Sequence, residues 1–363
     1  MKRFPPVSRR FRLAIATSAF LASAAAPPAA ADAAAPVVAS IRPVHSLVGA
    51  VMAGVGEPHL VMRKGASHHS FDMRPSDAAV LQEAGIVFLI DEAMESGLAG
   101  AIDTLASDAR VIELSAAEGL VRRPLREGGA FEADPFHEHD DHGDDDHGHG
   151  HAHKHEHGRE HDHDHDHDRE HDHDHDHMDA HEDESHHDHG PFDLHVWLDP
   201  VNAAAMAHMI ADTLSEADPD NAARYEDNAH DLIHRLERLT EEIEAELAPA
   251  RGRPFIVFHD GNRYFEDRFG LTAAGSAVVS SERTPGVRRI RELRHKVVEL
   301  GVMCLIDEPH FDRRLINTVI EGTEVRSGTV DPMGATVDSG PELYFTLLRN
   351  MSAAFRECLA PSG

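Results

Sequence analysis

The stretch 221–260 reads NAARYEDNAHDLIHRLERLTEEIEAELAPARGRPFIVFHD. Leu232, Ile233, Leu236, Leu239, Ile243 and Leu247 recur at three- and four-residue steps. Arg235, Glu237, Arg238, Glu241, Glu242 and Glu244 fill the opposite face. That pattern predicts one amphipathic helix from Asn221 to about Leu247. At the α-helical rise it is roughly 40 Å long, enough to run from one lobe to another. Pro249 and Gly252 end it. Phe255-Ile256-Val257-Phe258 is then an apolar run of strand length, and His259 follows it directly.

Outward from this stretch, strands and helices alternate on both sides. Toward the C-terminus a helix is expected near Asn262–Phe269, then helix Val287–Leu300, strand Met303–Ile306, helix Arg313–Ile320 and strand Val325–Val330. A last helix runs from Pro341 to about Cys358. Toward the N-terminus lie a helix over Val201–Leu214 and a strand over Asp193–Leu198. Earlier come a β-branched run Pro36–Ile41, helix Pro43–Val55, strand His59–Arg63, a helix capped by Ser76, and apolar strands Ile86–Ile90 and Arg110–Leu114. Strands alternating with helices predict parallel sheets of βα units. The expected fold class is therefore α/β, with two lobes of parallel-sheet βα units joined by a long helix. The lobes are expected over 36–216 and 250–363, with the connecting helix over 217–249.

Two segments stand outside this frame. Lys2, Arg3, Arg9, Arg10 and Arg12 precede a short apolar run, Leu13–Ala26, and small residues follow at Ala29-Ala30-Ala31. This is the pattern of a secretory signal peptide over 1–31, too short to span a bilayer. No Cys lies near the cleavage region to carry a lipid. The second segment is an insert in the first lobe, over 131–190. It carries 23 Asp and Glu, 3 Lys and Arg and 21 of the 32 histidines, so it holds 20 of the chain's 31 net negative charges. With so few apolar residues it is expected to be disordered. Its alternating His and Asp suit weak binding of several divalent transition-metal ions. The acidity also excludes nucleic acid as a partner, because phosphate recognition needs the opposite sign. Cys304 and Cys358 form an even pair in an exported chain, which favours a disulfide over two separate thiols.

In open parallel sheets, ligands gather beyond the carboxyl ends of the strands. His259 directly follows one apolar run, and Asp331 directly follows the strand ending at Val330. His69 lies in the loop Lys64–Ser70 after the second strand, and His195 sits within Asp193–Leu198. A cleft between the lobes could bring these four candidates together.

Several short stretches, taken in order, resemble the metal-ion family of ABC-transporter binding proteins, and within it the zinc-specific periplasmic proteins. They are Gly65-Ala66-Ser67-His68-His69, Arg74-Pro75-Ser76-Asp77, His195-Val196-Trp197-Leu198-Asp199-Pro200, Phe258-His259-Asp260, Tyr264-Phe265, Phe269-Gly270, Pro285-Gly286, Glu308-Pro309 and Asp331-Pro332-Met333-Gly334. The resemblance covers essentially the whole mature chain. It implies that His69, His195 and His259 are the three imidazole ligands of a Zn²⁺ ion in the inter-lobe cleft, with Asp331 or a water in the fourth position. Relatives that carry manganese or iron have Glu where this chain has His259, and an imidazole-rich set suits zinc. Some zinc relatives have an acidic residue at the place of His68, which makes His68 an alternative fourth ligand.

The resemblance further implies a non-enzymatic, monomeric periplasmic protein. Its cargo is zinc, and its partners are the membrane permease and ATPase subunits of an ABC transporter. A zinc-dependent hydrolase shares the three-ligand pattern, but no H-E-x-x-H helix supplies a general base. A metal buffer acting through the His-rich insert alone would leave the two lobes without a role. The adhesin role of lipid-anchored relatives lacks its anchor Cys. Glu308 could orient a ligand or join a helix cap, and Trp197 and Tyr264 read as packing around the cleft.

Overall fold

A computed structural model describes residues 35–62, 73–126, 131, 192–278 and 287–360. The expected signal peptide, His68, His69 and all of the expected insert except Phe131 lie outside the described residues. The first lobe holds strands β1 (Val37–Ala39), β2 (His59–Leu60), β3 (Ile86–Leu89) and β4 (Arg110–Glu113), all parallel, in the order β2-β1-β3-β4. The second holds β5 (Phe255–His259), β6 (Ala273–Val278), β7 (Cys304–Asp307) and β8 (Arg326–Thr329), also parallel, in the order β6-β5-β7-β8. Both sheets therefore change winding direction beside their first strand, between β1 and β3 in one lobe and between β5 and β7 in the other.

The inner strands β3, β5 and β7 are buried on both faces, and strand periodicity sorts their side chains. In β5, Ile256 and Phe258 point into a core of the second lobe alone, with Leu305 of β7. Phe255 and Val257 point the other way with Cys304 and Ile306, into a core that also contains Ala39 and Phe88 of the first lobe. His259 and Glu308 continue the second alternation, so the chain delivers both to the side where the lobes meet.

The helices are α1 (Arg42–Val51), α2 (Pro75–Gln82), α3 (Ser96–Leu105), α4 (Pro200–Ala217), α5 (Ala222–Leu247), α6 (Arg263–Phe269), α7 (Val287–Glu299), α8 (Arg313–Ile320) and α9 (Leu343–Leu359). They complete that shared core, through α1, α4, α5, α6 and α9, and the separate core of each lobe. α5 is the long helix read from its sequence, 26 residues with Tyr225, Ala229, Leu232, Leu236, Leu239, Ile243 and Leu247 buried. It packs against α4, α9 and α1. Polar bonds reinforce the junction between the lobes. Arg42 Nε donates to Gly334 O at 2.9 Å, Ser46 Oγ donates to Pro341 O at 3.1 Å, and Tyr344 OH donates to Trp197 O at 2.6 Å. Cys304 and Cys358 are joined in a disulfide with Cα atoms 5.7 Å apart, tying α9 to β7. Among the described residues no helix is long and apolar enough to cross a membrane.

Three local expectations are corrected. Asp193–Leu198 is not a strand: Val196–Leu198 forms a 3-10 turn with all three side chains buried, and only Phe192 makes a single antiparallel bridge, to Pro124. The Asp193 carboxylate accepts the His195 backbone N–H at 3.0 Å, which turns the chain instead of extending it. Ser76 does not cap α2. The helix starts two residues earlier than a Ser76 cap would set it, with Arg74 at the N-cap and Pro75 in the first turn, the position proline favours. α1 ends at Val51 rather than Val55, four residues before the expected end, and Gly54 sits at φ 81° just beyond it. Finally, α3 and β6 were not expected at all. Ala273-Ala274-Gly275-Ser276-Ala277-Val278 has almost none of the β-branched or aromatic residues that mark a strand.

Candidate metal centre

His259 is the last residue of β5. The four residues before it are fully buried, and His259 itself is only 7% exposed. Its Nδ1 lies 3.1 Å from Glu308 Oε1. Glu308 follows β7 directly, so this bond spans the two strands between which the sheet changes direction, where ligands of such sheets sit. Burial pushes the Glu308 carboxyl up, but the hydrogen bond and charge of His259 outweigh it and hold the group below the usual range.

His195 is built the same way by a different piece of chain. Its Nδ1 lies 2.7 Å from Asp193 Oδ1, the same oxygen that accepts its backbone N–H. Burial pulls the His195 imidazole down, yet the Asp193 charge and hydrogen bond, helped by Glu308 and Asp260, carry it above its ordinary value. Asp193 is also buried, which raises its carboxyl, and the interaction with His195 brings the net shift below normal. The two imidazole rings meet edge to face with centroids 5.6 Å apart, and Trp197 packs on His195 at 5.3 Å. Trp197 is completely buried and its indole N–H donates to Pro332 O at 2.9 Å.

In both cases a carboxylate, which can only accept, holds Nδ1 as the N–H. That fixes the tautomer and leaves Nε2 as the nitrogen able to accept or to ligate, the arrangement in which outer carboxylates orient metal-bound histidines elsewhere. Gly261 completes the wall. A Cβ added there would stand 2.9 Å from His259 Cε1 and 3.1 Å from His195 Nε2, so the backbone must be bare to lie against both rings.

Beside the rings, two chain segments flanking the insert are clamped to α6. Tyr264 OH accepts the Arg123 N–H at 2.9 Å and donates to Asp193 O at 2.8 Å. The Asp193 N–H donates to Arg123 O at 2.9 Å. Arg126 reaches Asp260 through two nitrogens and Glu266 Oε2 at 2.7 Å through the third.

These features match a known family. Residues 37–358 fit the family described as zinc-uptake complex component A, periplasmic. The chain belongs to that family. A high-affinity zinc uptake system protein ZnuA of Brucella suis is 47% identical over 324 residues, covering 89% of this chain and 91% of that one. The corresponding protein of Yersinia pestis is 31% identical, covering 90% and 92%. The fold is shared with a crystal structure of ZnuA, at 18% identity and a TM-score of 0.64, over 90% of this chain and all of that one. It is shared too with a zinc-bound deletion mutant of ZnuA lacking 138–173, at 19% identity and a TM-score of 0.64, over 91% of this chain and all of that one.

Of the residues expected at the site, His195 and His259 are brought together, His69 lies outside the described residues, and Asp331 is engaged elsewhere. Asp331 Oδ1 accepts the Ala335 N–H at 2.9 Å, and Oδ2 accepts the Thr336 N–H and hydroxyl, each at 2.7 Å. Among the described residues no group of three or more His, Cys, Asp or Glu converges to hold a metal. Glu308, whose role the sequence left between orienting a ligand and capping a helix, is bonded to His259. Asp193, Gly261 and Arg126 were missed. The Asp193-x-His195 spacing was the available signal for the first, since it permits a bond back to the ring. The Tyr264 hydroxyl adds a hydrogen-bonding role to the packing expected of it.

Proposed function

We propose that this chain captures Zn²⁺ in the cleft between its lobes and hands it to the permease and ATPase of an ABC importer. The observation that carries the reading is the pair His195 and His259, each turned by a buried carboxylate so that Nε2 is the ligating atom. The donor set fits the cargo. Two imidazoles sharing one tetrahedral zinc at about 2.0–2.1 Å set their ring centroids about 5 Å apart, close to the 5.6 Å seen. His69 is the third ligand of this reading, and the fourth position falls to water, His68 or Asp331. The Asp331 carboxylate already accepts three turn-closing bonds, which weighs toward one of the other two. Family membership supports zinc as the ion and uptake as the role. It also supports the periplasm as the compartment, in keeping with an N-terminal signal peptide, and the chain is expected to act there as a monomer.

The arrangement also argues for transport over hydrolysis. The buried carboxylates beside the rings, Asp193 and Glu308, are both spent on holding imidazoles, so neither is placed as a general base. The His-rich insert serves this reading as a collector of weakly held ions. The test is zinc binding by the full chain in competition with a chelator. One tight ion is expected, absent in His259→Ala while the weak insert ions persist. A variant that kept the tight ion would remove His259 from the site.

A further inference from the structure

Asp260 joins His259 to Gly261 in the chain. Its carboxylate therefore hangs one residue from the metal-facing ring and one residue from the glycine that touches both rings. The charge of Asp260 reaches the His195 imidazole, which it helps to raise. Arg126 holds that carboxylate. Its Nε donates to Asp260 Oδ2 at 3.1 Å and its Nη2 to Oδ1, a two-pronged fork that occupies both oxygens, while Nη1 donates to Glu266 Oε2 at 2.7 Å. The guanidinium side chain is 13% exposed, and the Glu266 side chain is fully buried.

The segment that carries Arg126 has no regular structure of its own, yet it is pinned on both sides. Val121 N–H donates to Asn202 Oδ1 at 2.7 Å, and Arg123 N–H is held by Tyr264. Arg263 donates to Pro124 O, and the Phe131 ring lies 4.6 Å from the Arg126 guanidinium. So the fork is aimed at Asp260 by the fold.

We propose that Arg126 is a specificity-positioning residue: by holding both oxygens of Asp260 it withholds a carboxylate from the bound ion and keeps the centre imidazole-rich. The chemistry follows from ligand softness. An added carboxylate oxygen favours harder ions such as Mn²⁺, whereas an imidazole set favours Zn²⁺. A lysine could neutralise the charge but could not occupy two oxygens in one plane. This inference rests on the proposed zinc site.

The experiment compares Zn²⁺ and Mn²⁺ affinities of the tight site in the full chain by chelator competition, with electron paramagnetic resonance reporting the Mn²⁺ environment. Because removing Arg126 alone would strand the buried Glu266 charge, the working variant is Arg126→Gln with Glu266→Gln. Its preference for Zn²⁺ over Mn²⁺ is expected to fall about tenfold or more, the scale on which outer-layer partners act. Adding Asp260→Asn should restore the preference. An unchanged preference in the folded double variant overturns the proposal. So does a loss that Asp260→Asn fails to restore, since Arg126 would then act only through the chain it anchors. A wild-type protein without a tight zinc ion would instead overturn the zinc reading itself.

Discussion

Replacing Asp193 isolates the device that prepares His195. One oxygen, Oδ1, accepts both the backbone N–H at 3.0 Å and the ring Nδ1–H at 2.7 Å. Asp193→Ala removes both bonds and frees the imidazole to rotate, which should weaken the tight zinc by roughly 100-fold, the upper end for an orienting partner. Asp193→Asn keeps an acceptor oxygen but removes the charge, and should cost about tenfold, close to 1.4 kcal/mol. The two variants also differ from wild type in pH dependence, and the sign follows from the pKa shift. Although burial alone would lower it, the Asp193 carboxylate holds the His195 imidazole above its ordinary value, so protons compete with metal from a higher pH than usual. In Asp193→Asn that competition begins at a lower pH, and its affinity deficit should narrow as pH falls from 8 to 6. Calorimetric titration against a competing chelator at several pH values reads both quantities. Equal affinities for wild type and Asp193→Ala would refute the reasoning, and a deficit that widens toward pH 6 would refute its electrostatic half.

Three further outcomes are expected. Gly261→Ala places a methyl about 3 Å from two imidazoles, so tight zinc should weaken about tenfold or more, while thermal unfolding moves far less than for a typical core overpacking of ~1–3 kcal/mol. Glu95 is 1% exposed and burial pushes its carboxyl up to about 7. The folded state therefore holds this proton longer than the unfolded one, and stability is lost as pH rises from about 4.5 to about 7, by roughly 3 kcal/mol; Glu95→Gln, followed by thermal melts, should lack that loss and gain on wild type at pH 8. Cys358→Ser opens a link across 54 residues, and loop-closure entropy sets the loss at about 4 kcal/mol; a variant with an unchanged denaturant midpoint would show that the buried packing of α9 suffices.

The parts of this fold that were legible in the sequence are those where one periodicity dominates. α5 announced itself because its apolar stripe runs unbroken from Leu232 to Leu247 opposite a charged face, and β5 because four large apolar residues stand between Gly252-Arg253-Pro254 and a His. β6 was silent because Ala, Gly and Ser fill a strand whose burial is supplied by its neighbours. Residues Asp193–Leu198 misled because a buried 3-10 turn and a buried strand are equally apolar over so short a length. At the site, a histidine at the end of β5 was readable. The Glu308 bond to His259 was not, since it joins residues 49 positions apart whose meeting depends on the strand order β5-β7. The bonds of the Asp331 carboxylate to Ala335 and Thr336, four and five residues on, were not legible either.

The most direct measurement is X-ray anomalous scattering at the zinc edge from protein loaded with one zinc equivalent. The account predicts a single strong peak in the cleft, about 2.0–2.1 Å from Nε2 of His195 and of His259. A nitrogen of His69 should complete the trio, with Asp193 and Glu308 still on the Nδ1 atoms and Asp260 still in the fork of Arg126. A zinc ion held through Nδ1 with those carboxylates displaced, or one found away from the cleft, would contradict it.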